Sequence, residues 1–147
     1  MKRLPLLCIA LALNVLAGSA VVAQSTDTAS AAAESAVAGL TGDADAGAKV
    51  FRKCKACHEI GEGAKSKAGP MLTNILGRAA GAVEDFGYSS ALMKKATDEE
   101  LVWDVETLEA FLTKPKTYIK GTKMSFAGLR KEKDRANVIA YLAGFTE

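Results

Sequence analysis

Histidine is nearly missing from this sequence. His58 is the single one in 147 residues, and that excludes the multi-histidine metal sites, including those of the zinc hydrolases. Cysteine is scarce too. Cys8, Cys54 and Cys57 are too few for a scaffold held together by disulfides. No sign of charge dominates: 19 basic residues face 17 acidic ones, a formal net charge of +2, so the surface is not that of a nucleic-acid binder. Aromatic residues make up only 6% of the chain, with Trp103 the sole tryptophan. No stretch alternates apolar and polar residues as a strand does, and no segment repeats. An all-α domain is therefore expected.

What is present is unevenly spread. Met1-Lys2-Arg3 precedes an uncharged apolar run, Leu4 to Ala23, ending in small residues. This reads as a secretory signal peptide over residues 1–23, with Val21 and Ala23 at the −3 and −1 positions of the cleavage site. The alternative is an uncleaved membrane anchor, since such a run is just long enough to span a bilayer. Asn14, Gly18 and Ser19 weaken that span. Cleavage removes Lys2, Arg3 and Cys8, and leaves basic and acidic residues equal in number. Residues 24–42 form an Ala/Ser/Thr-rich tract without Lys, Arg or aromatics, expected to be a disordered linker. The folded domain is expected over residues 43–147.

Within that domain, Asp43 or Asp45 is placed to cap a first helix, with Gly47, Val50, Phe51, Cys54 and Cys57 on one face. A helical turn is expected over Pro70–Ile75 and a short helix over Ser89–Ala96. Asp104 is placed to cap a helix through Leu112 that Pro115 stops. A last helix over Lys131–Ala143 carries an apolar stripe of Val138, Tyr141, Leu142 and, just beyond it, Phe145. The domain is small and rich in loops, so its core calls for something more than side chains.

Cys54-Lys55-Ala56-Cys57-His58 indicates what that is. C-x-x-C-H is the attachment signature of a c-type haem. Two cysteines three apart on a helical turn face the same way and can form two thioethers to one porphyrin, and His58 then follows beneath the iron. A thioredoxin-like redox pair wants a βαβ context, which is missing. A four-ligand zinc site wants a second pair of ligands, which is also missing. A disulfide at this spacing in a helix is strained. One histidine excludes bis-histidine ligation within a chain. The sixth ligand is then Met, Lys, Tyr, water or nothing, and Met71, Met93 and Met124 are the thioether candidates. Met93 sits among lysines in an expected helix and reads as core filler, whereas Met124 lies in a glycine-containing loop far along the chain.

Four separated segments, AGAKVFRKCKACH, GPMLTNILGR, PKTYIKGTKMSFAG and ANVIAYL, occur in the order found in one family. In them the sequence resembles the class I, mitochondrial-type cytochromes c, especially the exported bacterial members. The resemblance spans essentially all of 43–147. It implies the class I cytochrome c fold, helices and long loops wrapped around one covalent haem. It implies covalent attachment at Cys54 and Cys57, His58 as proximal ligand, the Pro70 carbonyl orienting that imidazole, and Met124 as distal ligand. Arg78, Tyr88 and Trp103 match groups around the haem propionates. Gly47 and Phe51 match the crossing of the first and last helices, near Val138 and Tyr141. Three departures stand out. Phe111 replaces a common tyrosine, Lys120 replaces a common proline, and the stretch between Tyr88 and Trp103 is a few residues longer than in mitochondrial proteins.

The function implied is one-electron transfer without an enzymatic acid, base or nucleophile. A monomeric periplasmic carrier would shuttle electrons from a quinol–cytochrome c reductase to a terminal oxidase or a photosynthetic reaction centre. Lys53, Lys67, Lys116, Lys123 and Lys131 match positions ringing the haem edge, whereas Asp98, Glu99, Glu100, Asp104, Glu106 and Glu109 cluster elsewhere. Such a separation of charge steers an acidic partner. A membrane-tethered version of the same carrier is the near alternative. A haem enzyme or gas sensor with an open sixth site is the reading from another class.

Overall fold

The computed structural model describes residues 34–146. The apolar segment 1–23 and residues 24–33 of the Ala/Ser/Thr-rich tract lie outside the described residues. No helix among the described residues is long and apolar enough to cross a membrane. The elements are α1 (Ala44–Phe51), β1 (Arg78–Ala79), α2 (Ser90–Asp98), β2 (Val102–Trp103), α3 (Val105–Thr113), α4 (Pro115–Tyr118) and α5 (Glu132–Ala143).

Short polar side chains start three of the helices. The Asp43 carboxylate accepts from the Ala46 amide at 2.6 Å, and the Ser89 hydroxyl accepts from the Leu92 amide at 3.1 Å. Asp104 and Thr107 satisfy each other reciprocally: the Thr107 amide donates to Asp104 Oδ1 at 2.8 Å, and the Asp104 amide donates to Thr107 Oγ1 at 2.9 Å. Each cap covers amides that a helix leaves without partners in its first turn. Asp104→Ala is expected to lower stability by about 1 kcal/mol, read from the urea midpoint, without changing the visible spectrum.

One expectation about local structure is corrected and another is extended. Pro70–Ile75 is not helical, because distant groups hold its backbone and side chains. The Leu72 amide donates to the Glu59 carbonyl at 2.8 Å and the Asn74 amide donates to the Phe145 carbonyl at 3.0 Å. Thr73 Oγ1 accepts from the Gly61 amide at 3.0 Å and donates to the Gly61 carbonyl at 2.9 Å. Pro115 ends α3, as expected, but also opens α4 from its first position, where a missing N–H is harmless. The sheet is a minimal one: β1 and β2 pair antiparallel, with Arg78 opposite Trp103 and Ala79 opposite Val102.

The core centres on the crossing of α1 and α5. Gly47 and Phe51 are the buried residues of α1. A Cβ at Gly47 would lie 2.0 Å from the Asn137 carbonyl oxygen, so the two backbones touch where only glycine fits. The Phe51 ring packs on Tyr141 with centroids 5.2 Å apart. Val138, Ile139 and Leu142 of α5 join Leu108, Phe111 and Leu112 of α3, with Trp103 beneath. Residues 34–36 are helical and Ala36 is only 4% exposed. The low-complexity composition therefore does not keep this part of the tract off the domain.

Candidate functional site

The C-x-x-C-H turn leaves the end of α1. The Cys57 and His58 amides both donate to the Cys54 carbonyl, at 3.0 and 2.9 Å, so one tight turn carries all three side chains. Neither Cys54 nor Cys57 is in a disulfide; Cys54 is half-buried and Cys57 exposed. Burial pushes the Cys54 thiol up to about 11, against the opposing pull of Lys53, with Cys57 raising it further. A redox pair needs a thiol lowered toward neutrality, and this environment does the opposite.

His58 is held on two sides. Its Nδ1 lies 2.7 Å from the Pro70 carbonyl oxygen. That oxygen only accepts, so Nδ1 carries the proton and Nε2 keeps its lone pair. Burial pushes the imidazole below its ordinary value; the hydrogen bond to Pro70 opposes this and Arg78 adds to it. A neutral imidazole with one nitrogen tied down is what a metal ligand requires. On the other side, a Cβ at Gly69 would sit 2.3 Å from His58 Cε1, so the imidazole occupies the space a side chain there would need. Gly69 itself cannot retreat freely. Its amide donates to the Cys57 carbonyl at 2.9 Å and its carbonyl accepts from the Lys67 amide at 2.8 Å.

Arg78, Tyr88 and Trp103 come together from three segments. The β1–β2 ladder sets Arg78 opposite Trp103, and opposed residues in such a pair project to the same face. Tyr88 is close enough to act on the Arg78 guanidinium electrostatically. Its hydroxyl accepts from the Val83 amide at 3.4 Å. Arg78 donates to the carbonyls of Met71 and Thr73, at 2.9 and 3.0 Å, and burial lowers its affinity for the proton. Among the described residues no carboxylate pairs with it. A half-buried guanidinium without a protein counter-ion suits an anionic group brought by a ligand. Two free thiols, a free imidazole nitrogen and an unpaired cation form a donor set that fits a haem, whose vinyl groups, iron and propionates need these three kinds of partner.

The thioether candidates separate. Met93 is 43% exposed on α2, not the core filler the sequence suggested, and its sulfur lies over Gly81. Met71 directly follows Pro70 on the loop that already supports His58, and its carbonyl is taken by Arg78. Met124 is half-buried against the core, on the separate segment between α4 and α5. Its amide accepts support from Thr122 by donating to Oγ1 at 3.2 Å. Phe111 packs between Trp103 and Tyr118, with centroids 5.0 and 6.0 Å away.

Sequence reasoning missed Gly69, the reciprocal Gly61–Thr73 pair and the role of Arg135 described below. A glycine before Pro70 was the sole visible hint to the first; the other two carry no local signal.

Comparison with known proteins agrees over most of the chain. The family model for cytochrome c matches residues 44–145. Cytochrome c2 of Afifella marina is 50% identical over 100 residues, covering 68% of this chain and 80% of that protein. Cytochrome c-550 of Nitrobacter winogradskyi is 45% identical over 104 residues, covering 71% of this chain and 92% of that protein. The solved structure of cytochrome c2 from Rhodospirillum centenum superposes with a TM-score of 0.68 at 35% identity, covering 72% of this chain and 100% of that one. That of cytochrome cH from Methylobacterium extorquens gives 0.64 at 39% identity, covering 70% and 99%.

Proposed function

The chain belongs to the cytochrome c family, as a bacterial class I member with a covalent haem c, and from that we propose that it is a one-electron carrier with iron held between His58 and Met124. The observation that carries the reading is the His58 imidazole. The Pro70 carbonyl accepts from its Nδ1–H, Gly69 leaves it room, and the Cys54 and Cys57 thiols are free on the same turn. The haem, when bound, supplies an iron that alternates between two oxidation states. The protein's part is to hold both axial side chains still, so that little rearranges as the electron comes and goes.

Cys54 and Cys57 form the two thioethers. Pro70 keeps the His58 Nε2 lone pair directed at the metal by fixing the tautomer and the ring. Arg78, Tyr88 and Trp103 would hold the propionates, Arg78 supplying the positive charge that their carboxylates need. Methionine as the distal ligand raises the potential relative to a second imidazole. The segment bearing Met124 is pinned near its start by Lys123 Nζ on the Gly87 carbonyl at 2.7 Å, and at its end by the Leu129 amide on the Leu112 carbonyl at 2.7 Å.

The carrier works in the periplasm, exported by its N-terminal segment. It takes electrons from a quinol–cytochrome c reductase and delivers them to a terminal oxidase or a photosynthetic reaction centre. Lys53, Lys67, Lys116, Lys123 and Lys131 are all exposed, which supports their forming the docking face. Ion pairs temper two of them, Lys53 with Asp134 at 3.9 Å and Lys67 with Glu59 at 2.7 Å. Partner encounter should therefore slow as ionic strength rises.

The ligand set is tested by the oxidised absorption spectrum of the purified holoprotein. The wild type is expected to show the weak far-red sulfur-to-iron band and Met124→Ala to lose it. The reduced variant is then expected to bind carbon monoxide while the wild type does not. A wild type without the band overturns Met124 as the ligand and revives the open-site enzyme or sensor.

A further inference from the structure

The segment that carries Met124 does little to hold itself. Among the described residues, none from 123 to 128 donates or accepts a backbone–backbone hydrogen bond. Beyond the packing of Met124 and Phe126 on the core, its position therefore depends on its two ends. The far end is pressed onto α3: a Cβ at Gly128, whose φ is +96°, would lie 2.2 Å from the Thr113 carbonyl oxygen. One half-buried side chain secures that end. Arg135 of α5, with its side chain 12% exposed, pairs through Nε with the Glu109 carboxylate of α3. Its Nη1 donates to the Leu129 carbonyl at 2.7 Å and to the Arg130 carbonyl at 3.2 Å.

These contacts close a circuit. Glu109 and Leu112 of α3 hold Arg135 and the Leu129 amide, and Arg135 holds the carbonyls of Leu129 and Arg130. We propose that Arg135 is a positioning residue for the distal methionine: by clamping Leu129 and Arg130 onto the α3–α5 corner, it suppresses excursions of the 123–128 segment that would take Met124 off the iron. This rests on Met124 being the distal ligand. A planar guanidinium reaches the carboxylate and both carbonyls in one fixed fork, which a lysine ammonium cannot do. The clamp thus raises the free energy of the detached state, where an outside ligand binds.

The test is imidazole binding to the oxidised holoprotein of the wild type, Arg135→Lys and Ile139→Val. Ile139 is a buried neighbour on α5, 1% exposed and one turn beyond Arg135; its apolar side chain takes no part in the hydrogen bonds of the clamp. Urea unfolding measures global stability in parallel. Apparent affinity scales with the fraction of molecules open to the ligand, so Arg135→Lys is expected to bind imidazole about tenfold more tightly than the wild type, with the far-red band retained in its absence. Ile139→Val, with its lowered urea midpoint, is expected to leave imidazole affinity within about twofold of the wild type. Unchanged affinity in Arg135→Lys overturns the proposal. An increase that merely follows the urea midpoint in both variants overturns it too, since Arg135 would then be an ordinary structural residue. If Arg135→Lys does not fold, Glu109→Gln weakens the same clamp and is judged by the same criterion. Absence of the far-red band from the wild type overturns instead the ligand assignment beneath it.

Discussion

Gly69→Ala is expected to cut covalent haem incorporation sharply, with little holoprotein recovered. The added Cβ would lie 2.3, 2.6 and 2.7 Å from Cε1, Nε2 and Nδ1 of His58, inside any tolerable contact with three ring atoms at once. Neither side yields cheaply. The ring is tied to the Pro70 carbonyl, and both backbone polar groups of Gly69 are bonded, to Cys57 and Lys67. The methyl group must therefore break the Pro70 bond or displace the 67–70 segment. Overpacking of this sort costs roughly 1–3 kcal/mol in an ordinary core, and here the strain falls on a ligand. Haem content per protein, measured by absorbance, and the far-red band of whatever holoprotein forms are the measurements. Wild-type haem content with an unaltered spectrum would show that residue 69 has room to spare and does not shape the ligand.

Gly47→Ala is expected to lower the stability of the holoprotein by about 3 kcal/mol or more, among the largest effects of any single substitution outside the haem ligands. A Cβ there would meet the Asn137 carbonyl oxygen at 2.0 Å and Tyr141 Cβ at 2.7 Å. The nearest obstacle is backbone in the middle of α5, so α1 and α5 must separate. That loosens the Phe51–Tyr141 contact and the bond from the Asp43 amide to Asn137 Oδ1, which is 2.9 Å long. Urea unfolding followed by tryptophan fluorescence reads the loss. Gly63→Ala is the comparison: its φ of +70° strains any side chain, but nothing lies within 4 Å of the new Cβ. It is expected to lose only about 1 kcal/mol. Equal losses in the two variants would mean that backbone freedom, not helix approach, is what Gly47 provides.

Both glycines lie within segments whose resemblance to the family was plain, yet only one had a visible reason. Gly47 stands on a helical face in register with Phe51, and the resemblance implied a close helix crossing there. Gly69 ends a run of small and lysine residues with no periodicity, and its purpose appears only when the loop returns beneath the His58 ring. The caps of α1 and α3 were similarly legible, because the capping side chain and the amide that donates to it lie three residues apart, whereas Ser89, expected as the first residue of α2, is its cap. The helical turn expected over Pro70–Ile75 failed for the converse reason: its backbone and side chains bond to Glu59, Gly61 and Phe145, none of them local.

The sequence alone determined that this is a haem c protein of the class I cytochrome c family. The two cysteines and the histidine act within one turn, and a spacing of three and four residues is enough to state their chemistry. The tertiary structure decided what surrounds them: which nitrogen of His58 is free, that Arg78 meets two carbonyls and no carboxylate among the described residues, and which carboxylate and carbonyls Arg135 reaches. Arg78 meets Trp103 across 25 positions, and Arg135 meets Glu109 across 26. No periodicity encodes such meetings, because they depend on which backbones are close enough to touch.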